Sequence, residues 1–368
     1  MNIDSRAEAW VALQVAGVAP RALLEMLRTF GSPEAVLDAT PAQRRAAVAS
    51  ASSPKSLAIA PDPERVAHTL RWLADTPDAS LVAWDDADYP AALLEIADPP
   101  PVFYCRGRRE LLSRPALAIV GSRNATPQGC ADAEAFAAAL SAAGLTIVSG
   151  LAQGIDAAAH RGGLAGAARS IAIVGTGPDR VYPAANRDLA HVLAKDGLIL
   201  SEFPPGTPAR QHHFPRRNRL ISGLARGVLV VEAALGSGSL ITARMAAEQG
   251  REVFAIPGSI HSPFAKGCHR LIRDGAKLVE TAQDVLEELK LVPAAAAAPA
   301  AAGVPEDPTV PSVPGAVLKA LGYDPADVDT LSSRTGFDAP TLLATLSALE
   351  LDGRVAALPG GRWQRVGS

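Results

Sequence analysis

Most of what this chain lacks excludes a function class. Cysteine is scarce: Cys105, Cys130 and Cys268 are odd in number and widely spaced, which gives neither a disulfide framework nor a Cys-x-x-Cys metal pair. Net charge is small, at -3, so any affinity for nucleic acid has to come from local clustering. No apolar run approaches the ~20 residues of a membrane helix, and no basic start followed by an apolar core opens the chain. A soluble, cytoplasmic protein without a membrane partner is the expectation. Gly-x-x-x-x-Gly-Lys-Ser/Thr does not occur, which argues against a P-loop ATPase.

What is present is length and a repeated pattern. The 368 residues suggest two or three domains with a sizeable core. The organising stretch is Ala116-Leu-Ala-Ile-Val-Gly-Ser-Arg-Asn-Ala-Thr-Pro-Gln-Gly129. Leu117 to Val120 is an unbroken apolar run suited to a strand buried on both faces of a parallel sheet. Gly121 stops it, and Thr126-Pro127 opens a helix with a cap and a proline at the first helical position. Such a strand–turn–helix presents backbone N–H groups and the positive end of a helix dipole at the strand's carboxyl edge, where a phosphate is favoured. Arg123 in that turn offers a charge-assisted fork. A plain glycine turn with a surface arginine is the alternative.

The pattern repeats. Leu145 to Ser149 runs into Gly150-Leu-Ala-Gln-Gly-Ile-Asp156 and a helix through His160. Ser170 to Val174 ends in Gly175-Thr-Gly177, and Gly197 to Leu200 ends in Ser201-Glu202. Gly227 to Val231 ends in Glu232 and leads to Gly236-Ser-Gly-Ser239; Glu252 to Ile256 ends in Pro257-Gly258. Strands alternating with helices make a doubly wound α/β domain. It is not an ordinary dinucleotide domain. The first turn is Gly-Ser-Arg rather than Gly-x-Gly-x-x-Gly, and the second strand ends in Ser149-Gly150 where a ribose-binding acid is expected.

Charge is uneven. Between Glu202 and Glu232 there is no carboxylate, while Arg210, Arg216, Arg217, Arg219 and Arg226 occur there with His212, His213 and Phe214. Guanidiniums interleaved with an aromatic ring suit a single strand, offering cations to phosphates and a flat face to a base. A second basic run holds Lys266, His269, Arg270, Arg273 and Lys277. A solvated basic face is the alternative for both. His212-His213 does not read as a metal site, because adjacent side chains point apart and no further ligand lies at suitable spacing. Asp156, Asp179, Glu202 and Glu232 read as helix caps or arginine partners, with no nucleophile–base pair beside them. Ser237 and Ser239 add donors at a helix start.

On either side of this domain the pattern changes. From Asp4 to about Ala74, Trp10, Leu13, Leu23, Leu24, Leu27 and Phe30 recur at helical spacing, broken at Gly17-Val-Ala-Pro20 and Gly31-Ser-Pro33. This reads as a small helical domain of the SAM or helix-hairpin-helix kind, serving packing more often than DNA contact. Val292 to Gly315 is rich in Pro and Ala and reads as an extended tether. Three short helices and a two-stranded wing follow, which resembles a winged helix. Its third helix carries Asp338, Glu350 and Asp352, with no Lys or Arg from Thr335 to Gly353. A groove-reading helix needs cations, so a protein-contact or auxiliary role is the expectation.

Several ordered motifs resemble those of the DNA-processing protein A family (DprA, also called Smf). They are Gly121-Ser-Arg123, Ser149 to His160, Gly175-Thr-Gly177 with Tyr182-Pro183 and Asn186, and Ser201-Glu202. Phe214-Pro-Arg-Arg-Asn-Arg219, Glu232 with Ser237 to Thr242, and Pro257-Gly258 with Gly267 to Ile272 complete the set. The resemblance covers about residues 80 to 290. It implies a Rossmann-like domain that binds single-stranded DNA, dimerises, and loads the recombinase RecA onto incoming DNA during natural transformation, without catalysis, cofactor or metal. The domain division expected is a helical domain over 1–78, a Rossmann-like domain over 79–291, a linker over 292–315 and a winged helix over 316–368.

Carried over motif by motif, Ser122 and Arg123 after Gly121 hold phosphate in the central pocket. Phe214, Arg217, Asn218 and Arg219 form its basic, stacking side, and Ser237, Gly238, Ser239 and Thr242 complete it. Gln211, counted among the DNA contacts, stands where several relatives carry lysine, so that phosphate contact is expected to be weaker or supplied by Arg210 or Arg216. His269 replaces a common asparagine. The rival reading is a nucleotide phosphoribohydrolase of the lysine-decarboxylase-like group. Its Pro-Gly-Gly-x-Gly-Thr-x-x-Glu motif is here Glu232-Ala-Ala-Leu-Gly-Ser-Gly-Ser-Leu-Ile-Thr242, without the terminal acid.

Overall fold

Four of the first five helices start on a proline, whose fixed φ and missing N–H suit that position. The computed structural model describes residues 5–48, 59–291 and 313–366. These helices are α1 (Ser5–Val15), α2 (Pro20–Phe30), α3 (Pro33–Asp38), α4 (Pro41–Ala47) and α5 (Pro63–Asp75). Ser32, Thr40 and Asp62 cap the last three through side-chain oxygens. Trp10, Leu13, Leu23, Met26 and Val36 form the core shared by α1, α2 and α3, which continues into Ala83 and Val102 of the first two strands, while Val66 of α5 packs with Val11 and Tyr104. Trp10 Nε1 donates to Asp85 at 3.1 Å and Gln14 Nε2 to the Glu202 carbonyl at 2.8 Å. The helical module is therefore fastened to the sheet edge, and packing is what its apolar stripe does.

The sheet begins with β1 (Ala79–Ala83), then α6 (Ala91–Leu94), β2 (Val102–Gly107), β3 (Ala116–Val120), α7 (Pro127–Ala142) and β4 (Thr146–Ser149). It continues with α8 (Ile155–Ala165), β5 (Ser170–Ile173), α9 (Arg187–Asp196), β6 (Leu198–Ser201), α10 (His213–Leu224) and β7 (Gly227–Val230). The last members are α11 (Ser239–Glu248), β8 (Glu252–Ala255), α12 (Lys266–Arg273), β9 (Lys277–Leu278) and α13 (Ala282–Glu288).

Nine strands lie in the order β1-β2-β6-β5-β4-β3-β7-β8-β9. The run from β6 to β9 is parallel, and β1 and β2 extend it with antiparallel pairings. Both faces are covered. Ala116, Ala118 and Val120 of β3 pack with Leu220, Ile221 and Ala243 of α10 and α11; Leu117 and Ile119 pack with Ala133, Leu140 and Ile155 of α7 and α8. That alternation is why the strand reads as a continuous apolar run. Winding reverses between β3 and β7, and a crevice opens there at the strands' carboxyl ends.

Behind the crevice, the fully buried His160 bonds Ser170 Oγ through Nδ1 at 2.7 Å, and Ser170 Oγ in turn donates to the Ile147 carbonyl at 2.9 Å. Nδ1 is thus the protonated nitrogen, and the buried Nε2 has no protein partner. Burial, and secondarily Arg217, pull this imidazole down to about 3. The unfolded chain takes up a proton below about pH 6.5 that the folded one refuses, so this group withdraws stability as pH falls from about 6.5 towards 3. His160→Asn is expected to flatten that decline between pH 6.5 and 5, by at most about 1.4 kcal/mol per pH unit. Urea midpoints at each pH measure it.

The C-terminal elements are α14 (Val313–Leu321), β10 (Ala326–Asp327), α15 (Val328–Thr335), α16 (Ala339–Leu351), β11 (Val355–Leu358) and β12 (Arg362–Arg365), with strand order β10-β12-β11. Leu342, Leu346 and Leu349 of α16 join Val317, Leu331 and Trp363 in its core, while Leu343 is exposed. Three helices and a three-stranded wing make a winged helix. Helix α14 starts at Val313, inside the stretch read as tether; residues 292–312 lie outside the described residues. Among the described residues, no helix is long and apolar enough to cross a membrane.

Candidate nucleic-acid interface

The ends of β3, β4 and β7 are laced together at the crevice. Ser122 N donates to the Glu232 carbonyl at 2.7 Å, and Ile155 N donates to the Ser122 carbonyl at 3.2 Å. The Glu232 carboxylate accepts from Thr126 N at 2.9 Å and Thr126 Oγ1 at 2.7 Å, while Thr126 itself caps α7. Burial pushes the Glu232 carboxyl up, against the pull of those Thr126 bonds. The turn after β3 is close-packed: a Cβ on Gly121 would lie 2.6 Å from the Ile155 side chain.

The strand-end acids are all engaged. Asp156 accepts from Gly150 N and Ala152 N at 3.1 and 3.3 Å, and Asp179 accepts from Gly206 N at 2.9 Å. Glu202 pairs with both Arg216 and Arg219.

Helix α10 supplies one wall of a cavity of about 450 Å³ at the crevice. Phe214, Arg217, Asn218 and Ile221 line it, at the i, i+3, i+4 and i+7 spacing of a single helical face. Gly121, Ser122, Arg123 and Asn124 form a second wall, and Gly236, Ser237, Gly238, Ser239 and Thr242 a third. Of the twelve contact residues carried over from the family motifs, all but Gln211 and Arg219 line this cavity. Gln211 is exposed ahead of α10. Arg219 lies on the opposite flank of the helix, held by Glu202 and by Asp98 at 3.3 Å. Arg216, offered as a substitute contact, is paired with Glu202 at 2.8 Å on that flank too. An arginine run that looks uniform in sequence is divided by helical phase into a cavity face and a bracing face.

The two cavity arginines differ. Arg217 is 5% exposed, and its Nη1 donates to the Ile173 carbonyl at the end of β5. It also crosses the end of β4, where a Cβ on Gly150 would fall 2.0 Å from Nη1. Burial pulls this guanidinium down to about 10, against the attraction of Asp156, so it stays charged at neutral pH. Burial pushes Asp156 up despite Arg217 and its own hydrogen bonds.

Arg123 is exposed, with Cζ 5.8 Å from the Phe214 ring centre. Ser237 and Ser239 hydroxyls meet at 2.7 Å at the start of α11, where the helix dipole is positive. The cavity thus joins a fixed cation, a solvent-facing cation and an aromatic face, the chemistry of an anion attached to a flat ring.

The second basic run is elsewhere. Lys266 Nζ donates to the Ile260 carbonyl, His269 Nε2 bonds the Gly258 carbonyl at 2.9 Å, and Arg270 and Lys277 pair with Asp274 and Glu288. His213 is buried, with Nδ1 on the Gly175 carbonyl at 3.0 Å, and stacks on Phe203 at 4.0 Å. Sequence reasoning missed Val120, Asn124, Ala152, Asp156, Ile221, Ala234, Gly236 and Phe264 as lining residues. Ile221 had a signal, one helical turn beyond Arg217 and Asn218; Phe264 sits in an irregular loop that gave none.

Comparison with known proteins agrees with this architecture. Residues 80–290 match the family model described as DNA recombination-mediator protein A, and residues 293–361 match the DprA winged helix domain. The chain is 41% identical over 301 residues to Protein Smf of Escherichia coli K12, covering 80% of each chain. It is 47% identical over 224 residues to the DNA processing protein DprA of Streptococcus pneumoniae R6, covering 61% of this chain and 78% of that one. The crystallographic DNA processing protein A from Streptococcus pneumoniae superimposes with a TM-score of 0.67 at 38% identity, covering 78% of this chain and 99% of that one. A Helicobacter pylori DNA processing protein A, solved in a study of its single-stranded DNA binding mode, gives 0.53 at 30% identity, over 59% of this chain and 97% of that one. A shared parallel sheet, a shared winged helix and this extent of identity place the chain in the DNA recombination-mediator protein A family.

Proposed function

We propose that the crevice between β3 and β7 binds single-stranded DNA and that the chain, as a cytoplasmic homodimer, hands that strand to RecA during natural transformation without catalysing a reaction itself. The observation that carries the DNA reading is the pairing of exposed Arg123 with Phe214 above buried Arg217 in one cavity. A cation for phosphate beside a flat face for a base is what an unpaired strand presents and a duplex hides. The Helicobacter pylori relative, whose structure was solved for its single-stranded DNA binding mode, supports the same ligand. The division at residues 78 and 291 belongs to this proposal, with the linker ending where α14 begins at Val313 rather than at 315. So does an auxiliary, protein-contacting role for the winged helix, since α16 has no Lys or Arg to neutralise phosphates.

A titration of a labelled single strand and its matched duplex at several salt concentrations tests the reading. Tighter single-strand binding is expected, with a log–log salt slope of about -0.7 per phosphate neutralised. Equal affinity for both forms would remove the cavity's claim. Release of free base from nucleoside monophosphates would replace the proposal with an enzymatic one. RecA loading is read from filament assembly on a strand precoated with single-strand-binding protein; an unchanged lag would leave only the DNA-binding half standing.

A further inference from the structure

One large aromatic side chain stands in the open beside the cavity. Tyr182, in the loop between β5 and α9, is 52% exposed, and its ring centre lies 5.5 Å from that of Phe214 at a 36° tilt. Phe214 has the Arg123 guanidinium on it at 5.8 Å. Guanidinium, phenyl and phenol are therefore linked through Phe214, leading away from the cavity.

The loop carrying Tyr182 is not loose. Thr176 Oγ1 donates to the Arg180 carbonyl at 2.9 Å, Gly177 N donates to the Thr207 carbonyl at 2.9 Å, and Ser201 Oγ donates to the Thr176 carbonyl. At the far end, Asn186 Nδ2 donates to the carbonyls of Leu151 and Ala152 at 2.9 and 3.1 Å, and Ala152 is itself a wall of the cavity. Gly175 seats the other ring, since a Cβ there would lie 3.0 Å from Phe214 Cδ1. The Gly-Thr-Gly turn, Tyr182 and Asn186, none of which lines the cavity, together build a mount for two aromatic rings. An exposed aromatic on a pinned loop has had its ordering entropy removed before any ligand arrives.

We propose that Tyr182 is a second base-stacking residue, taking the base next to the one on Phe214, so that the strand leaves the cavity along the β5–α9 loop. This rests on the single-strand reading above. Rings 5.5 Å apart leave no room for a base between them, because two aromatic contacts in series require about 7 Å, twice the ~3.5 Å contact distance. The bases therefore lie on the outer faces of the pair. The contact is with the π-face, and the chemical class recognised is a nucleobase of any identity rather than a phosphate.

The test compares wild type, Tyr182→Ala, Tyr182→Phe and Tyr182→Trp on a single-stranded oligonucleotide and on the same backbone with every base removed. On the intact strand Tyr182→Ala is expected to bind roughly ten-fold more weakly, while the Phe and Trp variants bind as the wild type. On the abasic strand all four proteins are expected to bind alike. A Phe variant as weak as the Ala variant would assign the contact to the hydroxyl and overturn the stacking role, as would an equal loss on the abasic strand. Unchanged binding of the intact strand by Tyr182→Ala would also overturn it while leaving the cavity's DNA reading intact. Failure of the wild type to bind any single strand would instead remove the underlying reading. Should Tyr182→Ala lose its folded circular dichroism, a Trp variant weaker than wild type on the intact strand alone still decides against stacking.

Discussion

Arg123→Ala loses single-strand affinity by roughly ten- to a hundred-fold and keeps its urea midpoint. The first half follows from the chemistry of the contact: a hydrogen bond between a charged donor and a phosphate is worth about 1.5–3 kcal/mol, or about one to two decades of affinity. The second half follows from position. Arg123 is exposed; among the described residues its side chain lies over the Phe214 ring at 5.8 Å and repels the Arg217 guanidinium, with no ion pair to break. Removing it therefore stays within about 0.5 kcal/mol of neutral for the fold. The log–log salt slope is expected to become shallower by about 0.7, the value for one phosphate on a single strand. Arg123→Lys falls between, because it keeps the charge and loses the planar fork. Full affinity with an unaltered salt slope in Arg123→Ala would mean that the strand does not reach the cavity.

The sheet and its crevice were legible because each depends on short-range pattern. Leu117 to Val120 is apolar at every position because helices cover both sides, and Gly121, Gly150 and Gly175 end their strands where backbone comes close to backbone or side chain. Thr126-Pro127 marks the start of α7 by local chemistry alone. Less legible was what depends on helical phase and distant partners. Arg216, Arg217 and Arg219 look alike in sequence, yet Arg217 turns under the cavity while its neighbours brace Glu202. Glu202 lies 14 and 17 residues upstream of the arginines it holds, and no window on the sequence displays that pairing. The two-residue strands β9 and β10 were missed because their pairing partners, not their own residues, define them.

The burial of Arg217 gives the cavity a cation that the fold itself already holds in place. Its unpartnered Nε and its single carbonyl bond mean that the fold carries this charge incompletely satisfied, a condition usually found where function maintains it. Arg123, by contrast, faces solvent. Under the proposed single-strand reading, one preorganised and one exposed cation would let the same cavity take successive phosphates without rebuilding its floor.

The largest structural effect is expected from a residue that does not line the cavity. Gly154, just before α8, has φ +74° and ψ -125°, a region in which residues other than glycine are strained by about 1–3 kcal/mol. A Cβ there would also lie 2.3 Å from the Ser122 carbonyl oxygen and 2.7 Å from that of Arg123. Both oxygens are backbone, and the turn that carries them is tied to Glu232 at 2.7 Å and to Ile155 at 3.2 Å, so it cannot step aside without breaking a bond.

Gly154→Ala is accordingly expected to cost at least about 3 kcal/mol, strain and overlap together, and to lower single-strand affinity because Ser122 and Arg123 are pushed out of place. Gly144→Ala isolates the first contribution. Gly144 also has positive φ, at +100°, but open space where its Cβ would go, so its cost is backbone strain alone. Urea unfolding of both variants, with strand binding measured well below each midpoint, separates the contributions. Equal midpoints would show that the Gly-Ser-Arg turn yields freely, and unaltered affinity in Gly154→Ala would detach strand binding from the shape of that turn. A lower midpoint together with weaker binding would tie the grip on the strand to the closeness of β3 and β4 at their ends, where a glycine is the only residue that fits.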